Sequence, residues 1–387
     1  MNGSNMWDRF MLGAYGILIC SGAMAAYAHA GDLDTNYDEW RLNEVQYIGT
    51  HNSYHIAPGE GMGILMNAVD FDPSAEWTSE RLNVALDYTH PSLTTQLKLG
   101  MRQFELDVYA DPEGGRFSNP GALRLKQNMS WKLPIIFNPE GDLSNPGFKV
   151  LHKPEYDFMS TCYLLIKALR EIHTWSEANP DHYPLIIHIE VKDGAGEALT
   201  EDYEPAKVDT FDKATWLRLE EEIKSVFPVD KIVTPDGVRG DYSAFRKAIS
   251  AGGWPKLKDL KGKVIYLLLN KKDTTHNFMT TFDDSLEGRL FFTSLQPNHP
   301  WASWYRVPDP NDKDIPDLLK QGFLVTTQAG THTVHARVND TQRRDKALGV
   351  GAHFILTDFP IPDRRFSDYQ VVFQDGSYVR KNPATTK

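Results

Sequence analysis

Imidazole, carboxylate, amide and ammonium side chains stand at or near the ends of four strand-like segments in the first half of the chain. They are His51 and Asn52 in VQYIGTHNSY, Glu105 and Asp107 in GMRQFELDVY, His152 in FKVLHK, and Glu190 with Lys192 in PLIIHIEVKD. Imidazoles transfer protons near neutral pH, and carboxylate and amide oxygens bind hard divalent cations. We interpret the set as an inventory for metal-assisted phosphoryl transfer.

Glu105 and Asp107 are two positions apart in one predicted strand, so both side chains project from the same face. Phe104, Leu106 and Val108 make the opposite face apolar. Carboxylates that point into the mouth of a barrel carry a desolvation cost unless a cation neutralises them. We therefore predict that the pair binds a metal; an exposed edge face is the alternative.

Glu190 lies in LIIHIEV, which is otherwise suited to burial, so its charge also needs a partner. Together with the Asn52 amide and the carboxylate pair it makes an all-oxygen ligand set, which favours Ca2+ or Mg2+ over Zn2+. We expect Ca2+ rather than Mg2+, because an exported enzyme meets abundant calcium and a flexible site tolerates irregular ligands. Lys192 is a candidate to hold a phosphate oxygen, with a solvated strand end as the alternative.

Two histidines at separate strand ends, His51 and His152, are the predicted proton-transfer pair. A single histidine among the 13 in the chain would carry little weight, but these two stand beside the predicted carboxylate ligands. A base and an acid tuned near neutral pH are what transfer from a hydroxyl to a departing alkoxide requires. Asp358, which closes the last predicted strand, either orients His51 or belongs to a turn.

Continuous apolar segments and helix-like stretches alternate along the chain. Eight segments rich in β-branched or aromatic residues predict strands buried on both faces, at 45–50, 103–109, 148–152, 185–191, 263–270, 289–295, 323–328 and 353–359. Helix-like patterns precede several of them, at 94–99, 160–177, 215–226, 242–250 and 341–348. This alternation predicts an α/β fold, a TIM-type (β/α)8 barrel whose catalytic groups collect at the C-terminal ends of the strands.

The barrel is expected to be incomplete or irregular and to form a single domain over residues 31–387. No clear helix pattern separates the second strand from the third or the fifth from the sixth. Residues 55–92 and 110–147 are predicted to be long loops that wall a pocket, and 193–261 is a candidate helical insertion. The segment at 299–308, HPWASWYRVP, is interpreted as a loop that is either packed or an apolar rim for lipid, with the rim slightly favoured.

Residues 1–30 are typical of a secretory signal peptide, with Arg9 in the leading region, an apolar stretch, and Ala28-His29-Ala30 as the cleavage site. A membrane anchor is the alternative, but the stretch is interrupted by glycines and falls short of the ~20 apolar residues that span a bilayer. We therefore expect a secreted or periplasmic protein. Its remaining cysteine, Cys162, is expected to be buried rather than reactive.

The net charge of -11 disfavours nucleic acid as a partner and disfavours strong electrostatic adhesion to anionic membranes. Contact with lipid would then depend on apolar and aromatic groups. The fractions of hydrophobic and charged residues, 41% and 24%, are ordinary for a globular enzyme. No obligate protein partner is indicated.

HNSY, FELDVY, the histidine of VLHK and the glutamate of HIEVKD, in this order, resemble the catalytic domain of the calcium-dependent phosphatidylinositol-specific phospholipase C family. The resemblance implies an incomplete TIM-type barrel and cleavage of phosphatidylinositol, at a membrane or micelle surface, to diacylglycerol and a cyclic inositol phosphate that water later opens. It also implies roles for individual residues: His51 as base, His152 as acid, and Asn52, Glu105, Asp107 and Glu190 as Ca2+ ligands. After the fourth strand, the family's inositol-recognition residues are not evident, and accessory lipid-binding modules are absent.

Two other functions fit parts of the pattern. A glycerophosphodiester phosphodiesterase acting on soluble diesters shares the barrel and a Glu-x-Asp pair, but it typically carries His-Arg where this chain has His51-Asn52. A non-catalytic, Ca2+-dependent binding protein would need the carboxylates but would not need two histidines. The intact histidine pair therefore favours the enzyme.

Overall fold

The computed structural model describes residues 37–69, 71, 74, 77–128, 137–193, 196–200, 203–269, 272–330 and 332–385. The predicted signal peptide, residues 1–30, lies outside these residues, so its cleavage stays a prediction. Within the described ranges, no helix has both the length and the apolar character needed to cross a bilayer.

Strands and helices alternate along most of the described chain. The strands are β1 Val45–Thr50, β2 Gln103–Tyr109, β3 Lys149–Val150, β4 Leu185–Val191, β5 Ile232–Val233, β6 Val264–Leu268, β7 Phe291–Thr293, β8 Trp304–Arg306, β9 Leu324–Gly330, β10 Phe354–Thr357 and β11 Val379–Lys381. The α-helices are α1 Glu60–Ala68, α2 Ser79–Ala85, α3 Leu93–Lys98, α4 Gly121–Asn128, α5 Leu165–Ala178, α6 Lys213–Lys224, α7 Pro235–Arg239, α8 Phe245–Gly252, α9 Lys272–Thr281, α10 Ile315–Lys320, α11 Val334–Val338 and α12 Gln342–Gly349.

Nine strands of the described residues pair in parallel, and eight of them, all except β5, follow one another in the order of a barrel that is divided between two sheets. One sheet runs β11-β1-β10-β9-β8, and the other runs β3-β2-β4-β6, with β5 and β7 both paired to β6. Among the described residues, no backbone ladder joins β1 to β2 or β7 to β8, so the barrel is incomplete, as predicted. The mixed α/β barrel expected from the sequence is therefore confirmed.

β1 and β2 nevertheless approach closely across the seam between the sheets. A Cβ atom on Gly49 would lie 2.4 Å from the backbone oxygen of Gln103, so this position admits only glycine. Just beyond β1, the Ser53 backbone N–H donates to the backbone oxygen of Glu105 at 2.9 Å. This contact ties the end of β1 to the strand that carries the carboxylate pair.

The strands are buried on both faces because their apolar segments are continuous rather than alternating. Every residue of β1 and β2 is buried, and β4 is buried except at Glu190. Large side chains such as Phe104, Ile187 and Phe354 are fully enclosed. Burial of one such side chain contributes about 1.5–3 kcal/mol, which makes the strands a rigid base for the loops at their ends.

The structure corrects two of the predicted strand positions. The segment 148–152 forms only the two-residue β3, which pairs antiparallel with β2 and is not a barrel strand. The place of the eighth parallel strand is taken by β8, within the segment interpreted as a loop. The predicted apolar rim is wrong for Trp304, which is fully buried and donates its indole N–H to the Thr326 hydroxyl at 2.7 Å.

The five predicted helices are found within a few residues of their expected bounds, as α3, α5, α6, α8 and α12. Side-chain caps explain some of the starts: Asp212 accepts the Thr215 N–H at the beginning of α6, and Ser92 caps α3. The expectation of no helix after β2 or after β6 is wrong, because α4 and α9 occupy those segments. Residues 55–92 also contain α1 and α2 rather than loop alone.

The candidate insertion at 193–261 contains three helices, α6, α7 and α8, in its described part. It also contributes β5, which pairs in parallel with β6, Ile232 facing Val264. Part of this segment therefore extends the second sheet. The division of the chain into domains stays a prediction.

Candidate active site

His51 and Asp358 meet because their strands are neighbours. β1 pairs in parallel with β10, and the last register pair is Thr50 with Thr357, so the two following residues stand side by side. The His51 Nδ1 lies 2.8 Å from Asp358 Oδ1. If this nitrogen donates its proton to the carboxylate, the other ring nitrogen, Nε2, is left as a free acceptor.

The environment of His51 raises its affinity for a proton. Burial by itself lowers the pKa of His51, but the Glu105 and Asp358 carboxylates more than offset this effect, and the pKa rises to about 9. The side chain keeps an exposed fraction of 18%, whereas Asp358 is almost fully enclosed. His51 is therefore a partly accessible imidazole whose basicity is set by buried carboxylates.

A second histidine–aspartate pair stands at the end of β3. The His152 Nδ1 lies 2.6 Å from Asp157 Oδ2, and the same carboxylate lies 2.9 Å from His55 Nε2. Burial alone would raise the pKa of Asp157, but the two histidines lower it to about 2, so the carboxylate is ionised. Burial is the largest influence on His152 and lowers its pKa, although the hydrogen bond to Asp157 acts in the opposite direction.

Three predicted metal ligands come together on β2 and β4. The register places Asp107 beside Glu190, and Glu105 is two residues earlier on the same strand. One carboxylate oxygen from each of Glu105, Asp107 and Glu190 lies within 4.8 Å of the others. The strand spacing that predicted a shared face is thus confirmed, and β4 adds the third carboxylate.

The described residues leave part of the negative charge of this carboxylate cluster without a partner. Both oxygens of Glu105 are buried and have no hydrogen-bond partner among the described residues. Burial raises the pKa of Glu105, and Asp107 raises it further, although His51 acts in the opposite direction. A buried carboxylate without a partner is strongly destabilising, and a divalent cation would satisfy it. The residues present therefore fit the oxygen-ligand chemistry of Ca2+.

Lys192 contacts the same cluster rather than open solvent. Its Nζ lies 2.8 Å from Asp107 Oδ2 and 3.0 Å from Glu190 Oε1. Burial alone would raise the pKa of Glu190, but Lys192 and Arg306 lower it to about 2. The pKa of Lys192 is itself raised, because the attraction of the two carboxylates exceeds the effect of burial. Lys192 thus forms ion pairs with two of the three carboxylates, and its role toward substrate stays a prediction.

Asn52, the predicted neutral ligand, is held in an uncommon conformation beside the cluster. Its φ of 44° lies in the left-handed region, which non-glycine residues seldom adopt. The side-chain Nδ2 donates to the Tyr88 hydroxyl at 3.0 Å, which leaves the amide oxygen available as a ligand. Strain of this kind is common where a side chain must be aimed at a functional site.

Three site residues were missed by the sequence analysis: His55, Tyr88 and Asp157. Each belongs to a loop, and its site partners are 33 or more residues away in the sequence. The one exception among these contacts is Asp157 with His152, which are five residues apart. Only that short spacing was a signal available in the sequence. Cys162 is buried, as expected, and burial raises the pKa of its thiol to about 12.

The fold and the site together define a class: a barrel in which two histidine–aspartate pairs accompany a carboxylate cluster suited to a divalent cation. The family model described as "Phosphoinositide phospholipase C, Ca2+-dependent" matches residues 40–383. The chain belongs to this family, which confirms the resemblance noted from the sequence.

Solved structures show the same fold. A calcium-dependent phosphoinositol-specific phospholipase C from Pseudomonas sp., described as an apo form with a myoinositol complex, is 14% identical, covers 91% of this chain and 98% of its own, and gives a TM-score of 0.52. A second crystal form of that protein is 13% identical over the same shares of both chains, also with a TM-score of 0.52. A search of curated proteins gave no match. At these identities the similarity to solved structures concerns the fold alone.

Proposed function

We propose that this chain is a Ca2+-dependent phospholipase C that cleaves phosphatidylinositol with His51 as base and His152 as acid. The observation that carries the proposal is the combination of two histidine–aspartate pairs with the buried carboxylate of Glu105, which has no hydrogen-bond partner in the described part of the chain. A protein that only bound calcium would need the carboxylates but would not need two oriented imidazoles. The family match supplies the substrate class.

The proposed reaction has one proton accepted and one donated. His51 Nε2 accepts the proton of the inositol 2-hydroxyl as its oxygen forms a bond to phosphorus. The bond from phosphorus to the diacylglycerol oxygen breaks, and His152 Nε2–H gives its proton to that oxygen. The products are diacylglycerol and a cyclic inositol phosphate, which a water molecule opens later with the two histidines in exchanged roles.

The environments of the two histidines suit these roles. Burial lowers the pKa of His51, but Asp358, which is not a proposed calcium ligand, raises it and strengthens the imidazole as a base. Burial lowers the pKa of His152, which strengthens it as an acid. Asp358 and Asp157 each hold an Nδ1, so that both imidazoles present Nε2 to the substrate. Two histidines with different pKa values can serve as base and acid in the same reaction.

Asn52, Glu105, Asp107 and Glu190 are the proposed calcium ligands. Bound Ca2+ would neutralise these carboxylates, which lowers the proton affinity of His51 and of the attacking hydroxyl, and would stabilise charge on the phosphoryl oxygens. Lys192 already contacts two of the ligands, and we propose that its ammonium also attracts the phosphate of the substrate. Inositol recognition beyond the phosphate is left to loops at the same end of the barrel.

We further propose that the enzyme is exported and acts at a lipid surface. The signal-like composition of residues 1–30 supports export. Two helices that follow barrel strands, α1 and α11, expose large apolar side chains: Ile64 is 50% exposed, Val334 52% and Val338 72%. Because these helices follow β1 and β9, they lie at the end of the barrel that carries His51. Apolar groups suit a protein whose net charge disfavours electrostatic adhesion.

A substrate comparison tests the proposed function. Purified protein is assayed for diacylglycerol release from vesicles of phosphatidylinositol and of phosphatidylcholine, and for hydrolysis of soluble glycerophosphoinositol and glycerophosphocholine. We expect Ca2+-dependent turnover of phosphatidylinositol in preference to the other three. Preferred turnover of the soluble diesters would instead identify a glycerophosphodiester phosphodiesterase, and Ca2+ binding without any turnover would identify a binding protein.

A further inference from the structure

His55 is fully buried, and both of its ring nitrogens face acceptors. Nδ1 lies 2.9 Å from the backbone oxygen of Tyr88, and Nε2 lies 2.9 Å from both oxygens of Asp157. An ionised carboxylate can only accept hydrogen bonds, so the Asp157 carboxylate accepts from the Nε2–H of His55. His55 therefore joins Asp157 through Nε2 and faces the Tyr88 backbone through Nδ1.

The neighbouring backbone fixes His55 and Asp157 relative to each other. The loop after β1 runs antiparallel to the loop after β3, with a bridge between His55 and Ser160. The Thr161 N–H donates to the Tyr54 oxygen at 2.8 Å on one side of this bridge. The ring of Tyr88 stacks on His55 with centroids 4.1 Å apart and planes inclined by 21°. His55 thus has little freedom to change its orientation.

Asp157 is shared between two histidines. Its Oδ2 lies 2.6 Å from His152 Nδ1, and both of its oxygens lie within reach of His55 Nε2. Asp358, by contrast, contacts the His51 ring through Oδ1, and its Oδ2 has no hydrogen-bond partner among the described residues. Asp157 thus holds two imidazoles, whereas Asp358 holds one.

We propose that His55 is a positioning residue for the acid of the reaction: by donating to Asp157 it fixes the carboxylate that aligns His152. Asp157 then orients His152 without retaining the proton that His152 must give away. This inference rests on the proposed function, since it assumes that His152 protonates the departing diacylglycerol oxygen. It adds a residue that does not itself contact the substrate.

The leaving group offers a readout that a merely structural role of His55 would not change. A diacylglycerol alkoxide departs slowly unless it is protonated, whereas 4-nitrophenolate departs without an acid. A defect confined to the acid therefore slows cleavage of phosphatidylinositol and spares 4-nitrophenyl myo-inositol 1-phosphate. A general loss of folding or of calcium binding slows both substrates.

Two amide variants separate the two hydrogen bonds of His55. In His55→Asn the amide nitrogen replaces Nδ1, so donation to Tyr88 is kept and donation to Asp157 is lost. In His55→Gln the amide nitrogen replaces Nε2, so donation to Asp157 is kept. We expect His55→Asn to lower kcat on phosphatidylinositol by at least ~30-fold, less than the ~100- to 10,000-fold contribution of a general acid because His152 is misaligned rather than removed. We expect it to change kcat on the nitrophenyl ester by less than about 3-fold. His55→Gln should restore most of the rate.

Equal losses of His55→Asn on both substrates, or wild-type rates on phosphatidylinositol, would overturn the inference. Nitrogen-15 NMR of the histidine rings in the wild-type protein gives a decision that needs no activity and no folded variant. We expect Nε2 of His55 to carry a proton, as donation to Asp157 requires, and an unprotonated Nε2 would overturn the inference. Absence of turnover on either substrate in the wild type would remove the proposed function, and the NMR result would still decide how His55 is held.

Discussion

The Nδ1 of His51 lies 2.8 Å from Oδ1 of Asp358, a residue 307 positions later in the chain. The contact exists because β1 and β10 are parallel neighbours that end at the same level. It brings the first and last barrel strands of the chain into one site, and it orients the free nitrogen of His51.

Removal of either proton-transfer group should lower turnover and leave the fold intact. We expect His51→Ala and His152→Ala each to reduce kcat on phosphatidylinositol by at least ~100-fold, in line with typical acid and base contributions. Diacylglycerol release measures the effect. His276→Ala is the matched control, since this histidine is exposed on α9, a helix with no proposed role in the site. Wild-type-like rates in His51→Ala or His152→Ala would refute the assignment.

Glu105→Gln should change metal binding and stability in opposite directions. The variant removes a buried carboxylate that lacks a partner, so the calcium-free protein should become more stable by about 1–2 kcal/mol. It also removes a proposed ligand, so calorimetric titration should show weaker Ca2+ binding. Glu140→Gln, which alters a carboxylate 72% exposed, is the control. Unchanged Ca2+ affinity in Glu105→Gln would move the metal to another part of the chain.

Tyr88→Phe should weaken calcium binding without removing a ligand. The variant deletes the acceptor of the Asn52 amide, which then loses its fixed orientation. Loss of such supporting bonds typically costs about 10- to 100-fold in metal affinity, and we expect the lower part of this range, with kcat at saturating Ca2+ nearly unchanged. Tyr183→Phe, in a residue just before β4 and so at the opposite end of the strand from Glu190, serves as control. Equal Ca2+ affinities in wild type and Tyr88→Phe would contradict the assigned role of Asn52.

Acid should destabilise the protein partly through His353. Its Nδ1 accepts the Val325 N–H at 3.1 Å and its Nε2 lies 3.0 Å from the Asn43 oxygen, so the folded state holds the neutral ring. Burial lowers the pKa of His353 to about 4, below the ordinary histidine value of 6.5. Because the folded-state pKa is the lower one, the stabilisation is complete above pH 6.5 and is lost as the pH falls from 6.5 toward 4, by up to about 1.4 kcal/mol per pH unit.

Urea unfolding of His353→Gln at pH 7.5 and pH 5 checks this expectation. The variant should be less stable than the wild type at pH 7.5, but it should lose less stability between the two pH values, by roughly 1–2 kcal/mol. His335→Gln is the control, because this residue lies at the surface. An identical pH dependence in His353→Gln and wild type would show that other groups carry the acid sensitivity.

The carboxylate cluster was predictable because the positions of its residues follow from the pattern of single strands. The spacing of Glu105 and Asp107 fixes their common face, and an acidic residue in an otherwise apolar strand identifies Glu190. By contrast, His55 and Tyr88 are separated by 33 positions and meet through loops whose paths no periodicity encodes. Asp157 lies five residues after His152 in the loop that follows the short β3, and no strand pattern indicates that this loop turns back to His152.

The number of barrel strands was predicted more accurately than the segments that form them. The apolar pattern of FKVLH suggested a barrel strand, but Lys149 in its middle is fully buried and pairs with Asp111, and β3 lies antiparallel at the edge of its sheet. β8 was missed because three residues are too few to show a strand pattern. α9 was missed because its threonines and its low apolar content weaken the helix pattern in the sequence. In the structure, packing of Phe278 against Trp216 stabilises this helix despite its low intrinsic propensity.

Phosphorus NMR of the purified protein with phosphatidylinositol micelles, recorded with Ca2+ and with excess chelator, tests the central claim most directly. The proposed mechanism predicts that a five-membered cyclic inositol phosphate signal appears with Ca2+ and is absent with chelator, because the 2-hydroxyl attacks phosphorus before water does. Direct formation of an acyclic phosphate monoester, or turnover that chelator leaves unchanged, would contradict it.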